Sequence, residues 1–562
     1  MEGIGAPLMS SKSVSLIKVP ILDSSNIGRI QPNSLVRFRG MVQDMFGNEL
    51  YVGAFKDGST WRTNKFTDVA SFPMSSSTET RIWERRLLYC VPVPGQSPWV
   101  VQSSDSASSS ETVINRCGNW TPQHGEKRRR EDDMSVDQMD LNVCPILLFI
   151  REDGLPCQAS QSQESVIGGT SPIQSMVPDF DTKSLPCLVK IYDSPESELK
   201  LNDVFEFVGV FTFDPELMVH EDGSDEFSSG LCEDTLVHLP PNKVPRLHCF
   251  IHRKLAVHDF LVGSPVNEPM PNLVRGIRES LLRYLTAVLG NDGVAAQCVL
   301  LHLLSQVHAR VDAIAVGKLS LNLTGFSRES VSVFGNQLNI AIQSLLPFTQ
   351  SMPLTVENLN TASLAPKKDY QTNRLLAGTL QLAEGTHLTL DETQLNAGIL
   401  NSTGIENVRL LKNLMDLQKV EYDFEYYKLE MSSDVQLLIL SEGKSNILPA
   451  DLVLPFQPSV VASSVNADGD SLQAWRWYLA TLRSLPHVID TELQKVIEDD
   501  LVAARQEDRS LGSNDFSSGY LELFRWLTMA RLMSASFGET SLSLEHWQMV
   551  KELERLRKER VK

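Results

Sequence analysis

The feature that most limits the possible folds is a change in the spacing of apolar residues near residue 273. Before this point, short runs such as Leu35–Arg39 and Val204–Phe211 alternate apolar with polar or small residues, as β-strands do. From Leu273 onward apolar residues recur every three to four positions, as on one face of a helix: Val274, Ile277, Leu281, Leu282, Leu285 and Leu289. The pattern therefore predicts β-rich modules followed by a region that contains helices.

The chain has 562 residues, enough for several domains. We divide it into an atypical N-terminal segment (1–30), a β-rich module (31–100), a Ser-rich linker (101–180), an OB-like β module (181–262), an α/β region (273–460) and a helical region (468–562). The second β module is interpreted as OB-like because its short strands are interrupted by one long acidic loop. In the first module, Pro92 and Pro94 predict that the strand before them lies at a sheet edge.

Within residues 273–460, apolar β runs alternate with helices. The runs Leu319–Leu323, Leu388–Leu390 and Val435–Leu440 are typical of buried strands in a parallel sheet. Beyond residue 468 the pattern is helical, with Trp475, Tyr478, Leu479 and Leu482 on one face. The fold class predicted is thus a multidomain α+β and α/β protein with a C-terminal helical region.

The Ser-rich linker has too few apolar residues to offset the entropy of ordering, so we expect it to be disordered. It contains the basic cluster Lys127, Arg128, Arg129 and Arg130, of the kind that nuclear import receptors bind. A solvated charge run is the alternative. Farther along, the acidic loop from Glu221 to Asp234 could contact a basic partner or simply be solvated.

The net charge of −19 argues against binding of the whole chain to nucleic acid or to an anionic membrane. The first β module leaves one local alternative open. Arg37, Arg39 and Arg62, interleaved with Phe38, Tyr51, Phe55 and Trp61, could hold and stack a nucleic acid, although alternating aromatic residues in strands more often belong to a core.

The eight cysteines are scattered, and no two of them form a C-x-x-C pair. The sequence therefore indicates neither a zinc ribbon nor a dithiol redox site, and it fits a reducing compartment. His248 and His252 flank Cys249, but their strand-like context favours structural roles over metal binding. No secretory leader and no unbroken apolar run of membrane-spanning length is evident. We therefore expect no metal, no secretion and no membrane insertion.

Sequence motifs for catalysis are missing or incomplete. Gly443-Lys444-Ser445 resembles the end of a phosphate-binding loop, but the position of the first glycine is Leu438. A strand leading into Gly325, Arg328 and Ser330 occupies a better position, yet it lacks a second glycine and a Lys-Ser/Thr pair. Asp391 and Glu392 end another strand, as the Mg²⁺-binding acids of ATPases do. We interpret these residues as a degenerate phosphate loop and a vestigial acidic strand end, with no catalytic residues and no cofactor.

Longer strings carry a family resemblance. Arg374–Thr386 followed by His387–Glu392 resembles the part of MCM replicative helicases in which a glycine-bearing strand precedes the Asp-Glu strand. Three further pieces fall in the same order as in that family. Leu289–Ala296 resembles the helix that opens the MCM ATPase module, and Val435–Leu440 resembles its later sensor strand. Leu523–Leu532 and Leu544–Trp547 resemble its helical lid.

Three further strings resemble a family of proteins that bind the MCM complex: Pro32–Met45, Tyr89–Gly95 and Lys368–Tyr370. Trp61–Lys65 and Trp83–Arg86 resemble its plant members, whereas Met1–Lys18 departs from the family's usual, longer start.

This resemblance implies a nuclear, non-catalytic adaptor that binds MCM helicase subunits through a degenerate AAA+/MCM-like α/β domain with a helical lid-like region. It further implies that the protein regulates assembly of the MCM complex or its unloading from chromatin during DNA replication. The same resemblance implies roles in the cell cycle, mitosis, cell division and sister-chromatid cohesion. Contact with chromatin would be indirect, through MCM, with no direct binding of nucleic acid. The alternative is a divergent AAA+ ATPase that acts on replication complexes.

Overall fold

A computed structural model describes residues 19–66, 79–100, 185–192, 199–213, 239, 243–261, 270–312, 314–445, 447–459, 467–510 and 516–561. These residues all belong to one compact unit of the chain. The predictions for the linker, for the basic cluster Lys127–Arg130 and for the acidic loop Glu221–Asp234 lie outside the described residues.

Six strands form the N-terminal sheet, and five of them close into a barrel. The closed order is β1-β3-β4-β6-β5 and back to β1, and β2 pairs antiparallel with the last four residues of β1. Only the β4–β6 pair of the barrel is parallel. The strands are β1 (Leu35–Asp57), β2 (Thr60–Thr63), β3 (Thr80–Val91), β4 (Cys187–Ile191), β5 (Val204–Thr212) and β6 (Arg246–Lys254).

The barrel joins strands from both of the β modules that the sequence analysis separates. The cause is the length of β1, which pairs with β3 along one part and with β5 along the other. Register shifts in the β1–β3 ladder mark bulges that let a strand of this length bend around a barrel. Closing the sheet buries the inward side chains of both segments together, including Val36, Phe38, Leu88, Phe205, Phe207 and Leu247.

The edge-strand prediction for β3 is wrong. β3 pairs with β1 on one side and with β4 on the other. The strand ends at Val91, so Pro92 and Pro94 follow the ladder and remove no donor from it.

The prediction of a parallel sheet is confirmed. Its order is β10-β13-β16-β9-β17, and every pairing in it is parallel. Its central strands are buried along their whole length, as parallel strands between helices must be. The strands are β9 (Leu321–Thr324), β10 (Thr349–Pro353), β13 (Thr386–Asp391), β16 (Val435–Leu440) and β17 (Leu452–Pro455).

A smaller sheet of order β12-β11-β14-β15 is built from two hairpins inserted between the parallel strands. These strands are β11 (Lys367–Asp369), β12 (Arg374–Leu376), β14 (Lys419–Asp423) and β15 (Lys428–Ser432), and β7 (Ala309–Val311) and β8 (Ile314–Val316) form a separate hairpin.

Helices α1 (Pro271–Val288) and α2 (Gly293–Leu304) precede the parallel sheet, and α3 (Arg328–Ser330), a π-helical turn (Val331–Gly335) and α4 (Asn336–Leu345) follow β9. Later helices are α5 (Val356–Thr361), α6 (Ser402–Leu417), α7 (Gly469–Arg483), α8 (Thr491–Ser510), α9 (Phe516–Ser536) and α10 (Leu544–Val561). The face of α7 expected to be apolar is buried, and it shares one core with α1, α2, α9 and α10. No helix among the described residues has the length and apolar character needed to cross a bilayer.

Buried hydrogen bonds attach the barrel to the α/β region. The Gln43 amide donates to the Leu375 carbonyl at 2.8 Å, and the Leu375 N–H donates to Asp44 at 2.8 Å. The Thr349 N–H donates to the Gly95 carbonyl at 2.7 Å. Gly95 has a φ of +71°, and a Cβ there would lie 2.4 Å from the Thr349 carbonyl oxygen, so the junction requires glycine.

Candidate functional site at the carboxyl end of the parallel sheet

The structure brings the two candidate segments to one edge of the parallel sheet. β9 leads into Gly325, and β13 leads into Asp391 and Glu392, with β16 between the two strands. Since the carboxyl ends of parallel strands meet at the same edge, both segments lie where α/β proteins commonly bind ligands.

The backbone of the loop after β9 is already engaged within the chain. The Gly325 N–H donates to the Glu442 carbonyl at 2.9 Å, and the Phe326 N–H donates to the Ser441 carbonyl at 3.0 Å. The Ser330 N–H donates to the Ser327 hydroxyl at 3.2 Å in a helix cap. A working phosphate loop directs such N–H groups at phosphate oxygens, and here they bond to the protein instead.

Phe326 fills the space under this loop. Its side chain is fully buried, and its ring is stacked on Phe456 with centroids 4.7 Å apart and planes 4° apart. Phe334 packs edge-on against Phe456 at 5.3 Å. The loop therefore ends in an aromatic core cluster, to which Phe456, directly after β17, also contributes.

Arg328 and Ser330 form hydrogen bonds at the surface and at the start of α3. The Arg328 guanidinium donates to the Asn396 side chain at 3.2 Å on the surface. The Ser330 hydroxyl belongs to the capping box with Ser327. Both residues stand at the start of a helix, and their described hydrogen bonds serve the helix start and the surface.

At the acidic strand end, Asp391 forms hydrogen bonds within the turn that follows β13. Asp391 accepts from the Thr393 N–H at 3.0 Å and from its hydroxyl at 2.6 Å. The Glu392 N–H donates to the Leu440 carbonyl at 2.8 Å. Burial raises the pKa of Glu392, and a hydrogen bond from Ser445 partly offsets the rise. One carboxylate oxygen of Glu392 is buried without a hydrogen-bond partner, so this group keeps some capacity to bind a proton or a donor.

Gly443-Lys444-Ser445 follows β16 as part of the sheet's support. The Ser445 N–H donates to the Asn322 side chain at 3.3 Å, and the Ser445 hydroxyl accepts from the Leu448 N–H at 3.0 Å. The same Asn322 donates to the Ser441 hydroxyl at 2.6 Å. These bonds join the loop after β16 to β9.

His248 has a structural role, as predicted. It is buried in β6, and its Nδ1 lies 2.7 Å from the Tyr192 hydroxyl. His252, four residues on, packs beside Phe205. Among the described residues, no group of three or more His, Cys, Asp and Glu side chains could hold a metal ion.

Arg37, Phe38 and Arg39 of β1 already have partners within the barrel. Arg39 lies 2.8 Å and Arg37 3.6 Å from the Glu206 carboxylate, and Phe38 is buried in the core. Arg62 pairs with Asp57 at 2.9 Å on the surface. Trp61 remains partly exposed under the Arg81 guanidinium.

Sequence reasoning missed the residues that close the site. Phe326 directly follows Gly325, at a place where a phosphate loop would keep the backbone open, and this bulky residue is the signal in the sequence. Its partner Phe456 lies about 130 residues later, after β17, and no local pattern links the two. The strand pairing between β9 and β17 brings them together.

A cavity of about 480 Å³ lies at the opposite, amino end of the sheet, between the barrel and α7. Asp434 and Arg483 contribute to its wall. Arg483 is buried and donates to the Leu303 carbonyl at 2.8 Å and to Gln436. Asp434 accepts from the Val307 N–H at 3.1 Å, but burial raises the pKa of its carboxyl to about 6.

We expect Asp434→Asn to stabilise the protein at neutral pH. The folded state retains the Asp434 proton up to about pH 6, whereas the unfolded chain releases it near pH 4. Folding stability therefore falls as pH rises between these values, and the cost is complete above them. An uncharged amide removes this cost, of the order of 3 kcal/mol. Urea unfolding should show that gain at neutral pH and little gain near pH 4, and an equal gain at both would contradict the assignment.

Comparison with known proteins now bears on this site. Residues 8–561 match the family described as Mini-chromosome maintenance replisome factor, and the chain belongs to this family. The match includes part of the N-terminal segment that the sequence analysis set apart.

Several relatives share one descriptive name. The chain is similar to the mini-chromosome maintenance complex-binding protein of Arabidopsis thaliana, with 58% identity over 98% of this chain and 92% of the relative. It is 35% identical to the protein of that name from Gallus gallus and 33% identical to the one from Homo sapiens, each over 97% of this chain and 91% of the relative. The family predicted from the sequence is confirmed, including the likeness to a plant protein.

Proposed function

We propose that this chain is a non-catalytic adaptor that binds subunits of the MCM helicase and regulates assembly of the MCM complex or its unloading from chromatin. The names of the relatives support MCM binding. The observation that carries the non-catalytic part is the loop after β9. Its Gly325 and Phe326 N–H groups donate to carbonyl groups of the chain, and the Phe326 ring is stacked in the core. Roles in DNA replication, cell division and sister-chromatid cohesion belong to the same proposal.

The α/β region is, in this proposal, a degenerate AAA+/MCM-like domain with α7–α10 as its lid-like part. Support comes from the position of the closed loop, directly after the first strand of the parallel sheet and before a helix. We assign the barrel to the OB type on its closed order of five strands. Such a domain offers a helicase subunit a surface resembling its usual neighbour without requiring nucleotide turnover.

We place the chain in the nucleus on the basis of Lys127, Arg128, Arg129 and Arg130. Replacing all four by alanine should move a fluorescent fusion of the full chain from the nucleus to the cytoplasm. Continued nuclear accumulation would remove this cluster as the import signal.

The experiment for MCM binding is size-exclusion chromatography with light scattering of the full chain mixed with purified MCM subunits, with and without ATP. The proposal expects a stoichiometric complex whose mass is the same in both conditions. Absence of a complex with every subunit would overturn the adaptor function.

One observation favours a second candidate, a divergent AAA+ ATPase. Asp391 and Glu392 stand at the end of the strand where such enzymes hold their metal-binding and water-activating acids, and one Glu392 oxygen lacks a partner. Phosphate release by the chain alone that stops with Asp391→Asn would favour this candidate.

A further inference from the structure

Two hairpin turns meet at one end of the smaller sheet. The Tyr370 hydroxyl, in the turn between β11 and β12, donates to the Phe424 carbonyl in the turn between β14 and β15 at 2.9 Å. The rings of Tyr370 and Tyr426 lie 5.5 Å apart. We call Tyr370, Tyr426 and Tyr427 with the neighbouring Asp423 and Glu425 the tyrosine tip.

The three tyrosine side chains of the tip face solvent, although hydrogen bonds hold both of the turns that carry them. Tyr426 is 81%, Tyr427 57% and Tyr370 45% exposed. The Phe424 N–H donates to the Tyr427 carbonyl at 3.0 Å, and the Tyr427 ring stacks on Phe424 at 5.0 Å. Exposed tyrosines held in this way lose little conformational entropy on binding, and tyrosine is enriched at the energetic centres of interfaces.

The tip carries two carboxylates, Asp423 and Glu425, beside two lysines of β11. Lys367 is the pairing partner of Asp423, and the Lys368 ammonium donates to the Asn373 carbonyl at 2.7 Å. Asp423 accepts from the Glu425 N–H at 2.8 Å, and neither carboxylate forms an ion pair within the described part of the chain. The nearby Lys428 is directed away, to Glu406 at 2.6 Å and to Glu421 at 2.7 Å. Burial, the two other tyrosines and then these two carboxylates raise the pKa of Tyr370.

We propose that the tyrosine tip docks onto an arginine- or lysine-bearing surface of an MCM subunit. This inference rests on the proposed function and adds the surface that performs it. A cation above a tyrosine ring, next to an unpaired carboxylate, gains both a cation–π contact and a charge-assisted hydrogen bond. A nucleic acid is a poor occupant because Asp423 and Glu425 would repel its phosphates.

The test compares full-length variants Tyr426→Ala and Glu425→Lys with the unchanged protein in binding to each purified MCM subunit, measured by biolayer interferometry. Ile399→Ala and Glu357→Lys are matched controls, since both positions are exposed outside the tip. Each tip variant should weaken binding by about tenfold or more, and the controls should not. Glu425→Lys should also reduce the salt dependence of binding. Because Tyr426 is exposed, thermal unfolding should be unchanged.

The possible results distinguish failure of the tyrosine tip as a docking surface from failure of the proposed adaptor function. Full affinity of both tip variants, with a clear complex for the unchanged protein, would overturn the tip and leave the adaptor function. Failure of the unchanged protein to bind any subunit would overturn both. If the unchanged protein binds a single-stranded oligonucleotide and Tyr426→Ala abolishes that binding, the tip belongs to a nucleic-acid site and the inference is contradicted. The inference is also contradicted if the only effect of the tip variants is that the protein no longer self-associates.

Discussion

Phe326→Ala is expected to lower the free energy of unfolding by about 3 to 5 kcal/mol, as truncation of a fully buried phenylalanine does. The ring is stacked on Phe456, and its removal leaves a cavity beneath the loop after β9. Gly325 has a φ of +91° and hydrogen bonds to the loop after β16, so the backbone has little freedom to collapse into that cavity. Urea unfolding of the full chain, followed by tryptophan fluorescence, measures the loss.

Two control variants limit the interpretation of this result. Phe326→Leu retains most of the buried volume and should lose clearly less stability, whereas the exposed Arg328→Ala should change it by less than about 0.5 kcal/mol. Phe326→Ala should also not create ATP hydrolysis, because the Gly325 and Phe326 N–H groups stay bonded to carbonyl groups. A loss below about 1 kcal/mol would show that the ring does not support the loop.

Asp292→Ala should be comparably destabilising, by about 3 to 5 kcal/mol, because it breaks a buried ion pair and leaves one charge without a partner. Asp292 accepts from the Ala295 N–H at 3.0 Å as the cap of α2 and from the Gln457 N–H at 2.9 Å. It also receives two hydrogen bonds from the Arg560 guanidinium, at 2.7 and 2.9 Å. One carboxylate thus joins α2, the segment after β17 and the last turn of α10.

The Arg560 contact can be separated from the helix cap by a double-mutant cycle. Asp292→Asn retains one acceptor oxygen, enough for the Ala295 N–H or the Gln457 N–H but not for both, because these groups bond to different carboxylate oxygens. It also loses the charge, so more than half of the cost is expected to remain. Arg560→Met combined with Asp292→Ala should cost less than the sum of the two single changes. Additive costs would mean that Arg560 does not depend on Asp292.

The sequence was sufficient to predict features that depend on short stretches. The change of apolar spacing near residue 273 correctly predicts the α/β region, and the buried runs at β9, β13 and β16 predict a parallel sheet. The common edge of Gly325, Asp391 and Glu392 follows from that geometry alone. The strand that contains His248 is also predicted from the alternation of its neighbours, and the structure has it as β6.

The features that could not be predicted depend on contacts between distant residues. The barrel closes through β1–β5 and β3–β4 pairings between strands that are far apart in the sequence. Bulges in β1 also hide from the sequence pattern that it is one long strand. The Phe326 and Phe456 stack requires β17 to lie beside β9. The tyrosine tip likewise arises only when two hairpins separated by β13 and α6 are placed in one sheet.

We propose that the parallel sheet keeps the arrangement of a nucleotide-binding sheet, and that the Phe326 ring and the hydrogen bonds of the Gly325 and Phe326 N–H groups close its phosphate position. The most direct test is isothermal titration of the full chain with Mg-ATP, together with phosphate release by the same sample. Our account predicts no binding heat above dilution and no turnover. Stoichiometric binding, with hydrolysis that follows the protein peak on a sizing column and is lost in Asp391→Asn, would contradict it.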